Sequence, residues 1–215
     1  HVKTFPDSTP AAGEEARELR AWAARGETES LAFSVFAREA VSGLRVTASE
    51  LRGPGSWRIP PAAVTLSAVE YVKLRYRQGA AQGQAQEQAH PLRLRPLAAP
   101  MDLRAGTTQQ FWMTLKVPAD ARPGEYAGKV SVATGKGKPQ ELAIRLHVFG
   151  FRLDPPSEPS FGIFLSPRFL PTVAELAGLK ERGFDALLWF WGHYGLKAVN
   201  DQGRLRMDFA DLDLF

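Results

Sequence analysis

Period-two alternation dominates residues 111–149. Phe111, Met113, Leu115 and Val117 alternate with Trp112, Thr114 and Lys116. Val130 and Val132 alternate with Lys129 and Ser131, and Leu142, Ile144, Leu146 and Val148 alternate with Ala143, Arg145 and His147. A strand sends successive side chains to opposite faces, so each run predicts a strand with one buried face. Pro118 has no amide hydrogen for a ladder and should end the first run. Pro123 and Gly124 suit the centre of a type II turn, because glycine accepts φ > 0 at the second central position. Tyr126 follows, with a ring to bury and a hydroxyl to satisfy. The pattern predicts two packed antiparallel sheets.

The upstream chain has the same grammar. A strand opens at Leu19–Trp22, Arg25, Gly26 and Glu27 form a turn, and Leu31, Phe33 and Val35 mark a strand buried on nearly both faces. Residues 44–48 read as another strand, and Gly53, Pro54 and Gly55 as a loop that continues through 59–61. Residues 64–76 carry Val64, Thr65, Val69, Tyr71, Val72 and Tyr76, which predicts two strands or one bent strand. Residues 78–89 are Gln, Ala, Gly and Glu, with nothing to bury, and predict a mobile surface loop. In the proline-rich stretch 91–100, Leu92, Leu94 and Leu97 should pack in extended form across a sheet edge. Residues 1–16, polar and broken by Pro6, Pro10 and Gly13, predict a loosely ordered segment.

Past this region the pattern changes. Pro155, Pro156 and Pro159 make 152–160 a linker, since proline resists both helix and ladder. Residues 161–165 are apolar without alternation, as in a strand buried on both faces. Residues 170–183 predict a helix, with Pro171 in its first turn, Val173, Leu176 and Leu179 on one face, and Gly183 as its stop. Residues 184–191 predict a second buried strand, and strand–helix–strand of this length means parallel strands. Residues 194–207 suggest a loop or small hairpin around Asn200–Gly203, and 208–215 the start of another helix. The chain is therefore expected to be mainly β: an antiparallel β-sandwich over 17–151, then at 161–215 the first β/α units of a truncated (β/α)8 barrel. Two parallel strands and one helix cannot bury their apolar faces alone, so the sequence reads as cut.

Composition narrows the function classes. The 215 residues allow one large or two modest domains, and 44% are hydrophobic, enough for a core. The net charge of +4 comes from 27 basic and 23 acidic residues, with the basic ones scattered. No dense Lys/Arg block marks a nucleic-acid partner, and no apolar run approaches the roughly 18 residues of a membrane span. With no cysteine, disulfides, thiol catalysis and thiolate metal sites are excluded.

Several stretches together resemble the N-terminal region of glycoside hydrolase family 123. They are the Arg25-Gly26-Glu27 turn, the run from Gln110 to Pro118, the turn from Ala121 to Gly128 and the exit from Val148 to Leu153. The unit from Gly162 to Trp191 resembles the start of that family's (β/α)8 barrel, and the resemblance spans 17–215. It implies a bacterial, extracellular or periplasmic protein acting on glycans, N-acetylhexosaminides among them, with the sandwich packed on a C-terminal barrel. In the family the substrate's acetamido group attacks the anomeric carbon, an Asp orients that group, and an adjacent Glu is the general acid. This sequence has no adjacent Asp–Glu pair. No catalytic residue is assigned here, and the pair is expected beyond Phe215. A non-catalytic carbohydrate-binding or structural sandwich module is the alternative.

A barrel places its site at the C-terminal ends of the strands. Those ends fall at 166–168 and 189–194, where Trp191, His193 and Tyr194 supply the flat rings and polar groups of a sugar site. Strand packing for Trp191 and a satisfied loop histidine for His193 are the rival reading. No metal or other cofactor is expected, because no second ligand lies at useful spacing from His193. His147 is expected at the surface, and Asp208 or Asp211 is expected to cap the final helix. Trp22, Trp57 and Trp112 either line a glycan surface on the sandwich or fill its sheet faces.

Overall fold

The structure is a computed structural model that describes residues 4–76, 86–135, 137–153, 162–165, 172–181, 183–184, 186–189, 197–201 and 204–208. Two compact units divide the chain, His1–Leu153 and Asp154–Phe215.

The first unit contains β1 (Glu18–Arg25), β2 (Thr28–Ala37), β3 (Val41–Ala48), β4 (Leu51–Arg52) and β5 (Arg58–Ile59). After a 3-10 turn at Pro61–Ala63 come β6 (Val64–Tyr76), β7 (Gln86–Pro96), β8 (Met101–Leu103), β9 (Thr107–Lys116), β10 (Gly124–Ala133) and β11 (Gln140–Arg152). Sheet I runs β1-β11-β10-β3-β8, with β4 beside β3 on β10 and β5 outside β4. Sheet II runs β2-β9-β6-β7. The two sheets form a β-sandwich.

The alternation of the sequence becomes the core between the sheets. Phe111, Met113, Leu115 and Val117 from β9 and its exit face Val130, Ile144, Leu146 and Val148 from β10 and β11, all essentially inaccessible to solvent. Phe33 stacks on Phe111 across the β2–β9 pair, with centroids 5.4 Å apart. Burying each such aliphatic side chain contributes about 1.5–3 kcal/mol before entropy is counted.

Several expectations change. The sandwich is not wholly antiparallel: β1 pairs with β11 in parallel, from Glu18↔Ala143 to Ala23↔Val148. The whole unit connects these two strands, so no hairpin forces them antiparallel. Residues 64–76 are a single strand, with a register shift against β7 between Glu70 and Tyr71. Residues 86–89, expected in a loop, lie in β7; the rest of that expected loop falls outside the described residues. Leu92 and Leu94 do lie on an edge strand, but half exposed (56% and 50%), while Leu97 packs against the core. Pro91 and Pro96 fit an edge strand because one of its sides needs no donors.

Residues 4–16 carry no regular element. Residues 4–8 are nevertheless hydrogen-bonded across the outer face of sheet II. The Thr108 amide donates to the Pro6 carbonyl (2.9 Å), the Thr108 hydroxyl to the Ser8 carbonyl (2.6 Å), and the Tyr71 hydroxyl to the Thr4 carbonyl (2.8 Å). Local polarity, which suggested a loose segment, carries no signal of these distant partners.

The second unit contains β12 (Gly162–Leu165), α1 (Val173–Glu181), β13 (Ala186–Trp189), β14 (Lys197–Asp201) and β15 (Arg204–Asp208). β12 and β13 pair in parallel, and β14 and β15 form an antiparallel hairpin. These elements include one strand–helix–strand unit, and α1 is the single helix among the described residues, so they do not by themselves support a barrel. The helix begins with Thr172 and Glu175 capping each other. The Thr172 amide donates to the Glu175 carboxylate (2.7 Å) and the Glu175 amide to the Thr172 hydroxyl (3.3 Å). The Thr172 amide and, with less influence, the Thr172 hydroxyl (2.9 Å) donate to the Glu175 carboxylate and hold it below its ordinary range. At the other end Gly183 has φ +84°, and the amides of Gly183 and Phe184 bond back to the carbonyls of Lys180 and Leu179. Val173, expected on a packed face, is 84% exposed. Asp208 ends β15, and the segment 209–215 that Asp208 or Asp211 is expected to cap lies outside the described residues.

Candidate functional site

The expected sugar contacts Trp191, His193 and Tyr194 lie outside the described residues. Just before them, Trp189 closes β13 opposite Leu165 at the matching end of β12. Among the described residues no group of three or more His, Cys, Asp or Glu could hold a metal ion. No helix among them is long and apolar enough to cross a membrane.

The sandwich presents a different constellation, on the outer face of sheet I. Register aligns Trp22 on β1 with His147 on β11, and His147 with Glu125 on β10. Three neighbouring strands therefore carry one row, Trp22–His147–Glu125. Along β11 the outward period of two continues through Phe149 and Phe151. The His147 and Phe149 rings meet edge to face at 5.0 Å, and Phe149 and Phe151 stack at 5.3 Å. Trp22 is 58% exposed and Phe151 53%. Nδ1 of His147 lies 2.5 Å from Oε1 of Glu125, which fixes the imidazole in the row.

Charges beside these rings are paired. Glu18 holds Arg20 and lies 3.9 Å from Arg145, and Lys129 meets Glu141 at 2.5 Å. The outward positions of β1, β10 and β11 thus carry three acidic side chains (Glu18, Glu125, Glu141) and three basic ones (Arg20, Lys129, Arg145). The face is aromatic at one end and carries ion pairs at the other, and β4 and β5 add Arg52 and Arg58 around Glu50.

A buried wedge beneath it holds β10 in place. Tyr126 is fully buried, and its hydroxyl donates to the Arg122 carbonyl at 2.8 Å. Burial pushes the Tyr126 hydroxyl above its ordinary pKa. A Cβ on Gly53 would stand 2.2 Å from Cε1 of the Tyr126 ring, so only glycine lets the 53–55 loop lie on it. Gly124, expected inside a type II turn, opens β10 at φ +133° with Pro54 packed against it.

Of the three tryptophans weighed as a glycan surface, only Trp22 is well exposed. Trp57 packs against the core, and Trp112 is half-buried on sheet II. His147 is at the surface, as expected. Sequence reasoning did not single out Phe149, Phe151, Glu125 or Arg145. The signal was present in the outward positions 147, 149 and 151, but the neighbourhood of Trp22 depends on a pairing the sequence does not display. A cleft between β3 and residues 97–101, lined by Leu44, Leu97, Met101 and Phe111 together with Arg45 and Thr47, includes no carboxylate or histidine for chemistry.

The chain resembles a family 123 glycoside hydrolase from Clostridium perfringens, the subject of a structural study of glycolipid glycan hydrolysis. Identity is 14% and the TM-score 0.69, over 92% of this chain and 39% of that one. This chain therefore spans well under half of that relative. Weaker likenesses are to the sporulation control protein Spo0M of Bacillus subtilis (15% identity, 60% of this chain and 51% of that one, TM-score 0.24). Another is to a PapD-like domain of human CEP192 (12% identity, 72% and 99%, TM-score 0.31). No curated protein matches the sequence. Residues 2–134 match the family described as the glycoside hydrolase 123 N-terminal domain, and the chain belongs to that family.

Proposed function

We propose that this chain is the N-terminal portion of a glycoside hydrolase-like protein that acts on glycans, N-acetyl-β-hexosaminides in particular. In this reading the sandwich supports a (β/α)8 barrel that begins with β12, α1 and β13, and the protein works outside the cytoplasm. The carrying observation is the family match over residues 2–134. β12 and β13 pair in parallel around α1, the arrangement that the first unit of such a barrel would have. Trp191, His193 and Tyr194 follow β13 and would contact the sugar. The sequence has no adjacent Asp–Glu pair, so the acid and its orienting partner would come from polypeptide outside these 215 residues.

The test is hydrolysis of nitrophenyl N-acetyl-β-hexosaminides. A native polypeptide that carries this chain together with a complete barrel should release nitrophenol, and the 215-residue chain alone should not. In the longer polypeptide, His193→Ala and Trp191→Ala should raise KM. Absence of hydrolysis by the longer polypeptide with both the galactosaminide and the glucosaminide overturns the reading.

A further inference from the structure

We infer that residues 4–8 are a latch on a hinged arm of the sandwich. The arm is the outer part of the β6–β7 hairpin, residues 71–76 with 86–91, and it turns relative to β9 when the latch lifts.

Sheet II is split. β6 pairs with β9 from Val64↔Leu115 to Ala68↔Phe111, and there their ladder stops. β9 continues to Thr107 beside β2, and β6 continues to Tyr76 beside β7. Two strands that are neighbours in one half of the sheet therefore part in the other half. A bulge sits where they part. Glu70 faces Arg93 and Tyr71 faces Pro91, so Leu92 is an extra residue on β7. An extra residue bends a strand pair and interrupts its ladder, which makes this position the hinge.

Residues 4–8 fill the opening. The Pro6 carbonyl takes the Thr108 amide of β9 at 2.9 Å, beyond the point where β6 leaves. Thr4 reaches both sides. Its carbonyl accepts from the Tyr71 hydroxyl on the arm (2.8 Å), and its own hydroxyl accepts from Ser34 on β2 (3.1 Å). One short segment thus ties β2, β9 and the arm together. Its own hold is light: residues 4–8 are in no strand ladder, and residues 9–16, which lead from them to β1, are exposed. Segments with exposed bonds and little packing open at a lower free energy than a core. The latch therefore lifts while β1 stays in its sheet. Without the Thr4 carbonyl the arm turns at Leu92, with its own β6–β7 ladder intact.

The test uses the 215-residue chain, whose lack of cysteine makes introduced thiols unambiguous. Thr4→Cys with Ser34→Cys puts two sulfurs where the hydroxyls lie 3.1 Å apart, and their disulfide locks the latch. Amide exchange of Thr108 then reports lifting, and that of Ile144 and Leu146 reports the core. In the parent Thr108 should exchange faster than the core amides. The disulfide should slow it about tenfold more than it slows the core, the scale of one or two hydrogen bonds, and reduction should restore the parent rate. The arm is followed separately, by the distance between nitroxides on Lys73→Cys and Arg104→Cys, both exposed positions. Deleting residues 1–8 should add a longer distance, and a synthetic peptide of residues 1–8 should remove it. If the deletion costs the core its protection, Tyr71→Phe with Thr108→Val takes its place and should add the same longer distance. Thr108 exchange as slow as the core, or unchanged by the disulfide, overturns the proposal. So does a nitroxide distance that neither the deletion nor the double substitution alters.

Discussion

The two outer faces of the sandwich have opposite fates. On sheet II, Ser67, Val69, Thr108 and Gln110 occupy outward positions yet are buried, and residues 4–8 are hydrogen-bonded across that face. On sheet I the outward positions of β1 and β11 stay open and carry Trp22 and Phe151. Both faces hold polar and aromatic side chains, so composition does not separate them. The difference is what crosses over them. A strap of a few residues turns an outward Thr or Gln into a buried, hydrogen-bonded group, whereas Trp22 on the other face stays exposed.

The comparison can be broken or sharpened by substitution. The largest effect should come from emptying the layer under both faces. Tyr126→Ala removes a fully buried ring and should cost about 3–5 kcal/mol in urea unfolding. A small loss there would mean that the Gly53–Tyr126 wedge does not hold β10.

Deleting residues 1–8 should cost about 2–4 kcal/mol. It removes the bonds to Thr108 and Tyr71 and the Ser34–Thr4 hydroxyl contact, each with a net contribution near 1 kcal/mol. If thermal unfolding does not shift, the strap does not cover sheet II.

Tyr71→Phe isolates one of these bonds and should cost about 1 kcal/mol. Burial also raises the hydroxyl pKa of Tyr71 and Tyr126. The folded chain therefore keeps both phenol protons at a pH where the unfolded chain releases them. Their contribution is complete below about pH 10 and is lost as pH rises beyond it. Alkaline unfolding curves of Tyr71→Phe and Tyr126→Phe should fall less steeply above that pH than those of the parent.

Trp22→Ala should change stability by no more than about 0.5 kcal/mol, because an exposed side chain on an open face has little packing to lose. A larger loss would mean that something in the chain already covers sheet I.

Much of the core was legible in the sequence. The alternations at 111–117, 130–132 and 142–148 put the right residues inside, because period two is a local property of strands. What escaped was nonlocal. No feature near Glu18 says that its neighbour is Ala143, or that the neighbour runs parallel. Thr4 and Ser8 gave no sign of their partners on β6 and β9. The mutual cap of Thr172 and Glu175 was readable from their three-residue spacing, but Pro171 drew attention to itself as the helix start. The aromatic row on sheet I was half legible for the same reason. Trp22 and His147 could each be placed on an outward position, but their adjacency depends on strand register, which one sequence does not reveal.

The parallel pairing of β1 with β11 also fixes an order of events during synthesis. Chains are made from the N-terminus, and a strand without a neighbour presents unpaired amides and carbonyls. β1 must leave the ribosome and wait until β11 has emerged before it finds its place. Its apolar Leu19, Ala21 and Ala23 are without their β11 neighbours for most of the domain's translation. Sheet I is therefore closed by its first-made strand, and a nascent chain halted before Ala143 would hold β1 in reach of the quality-control machinery.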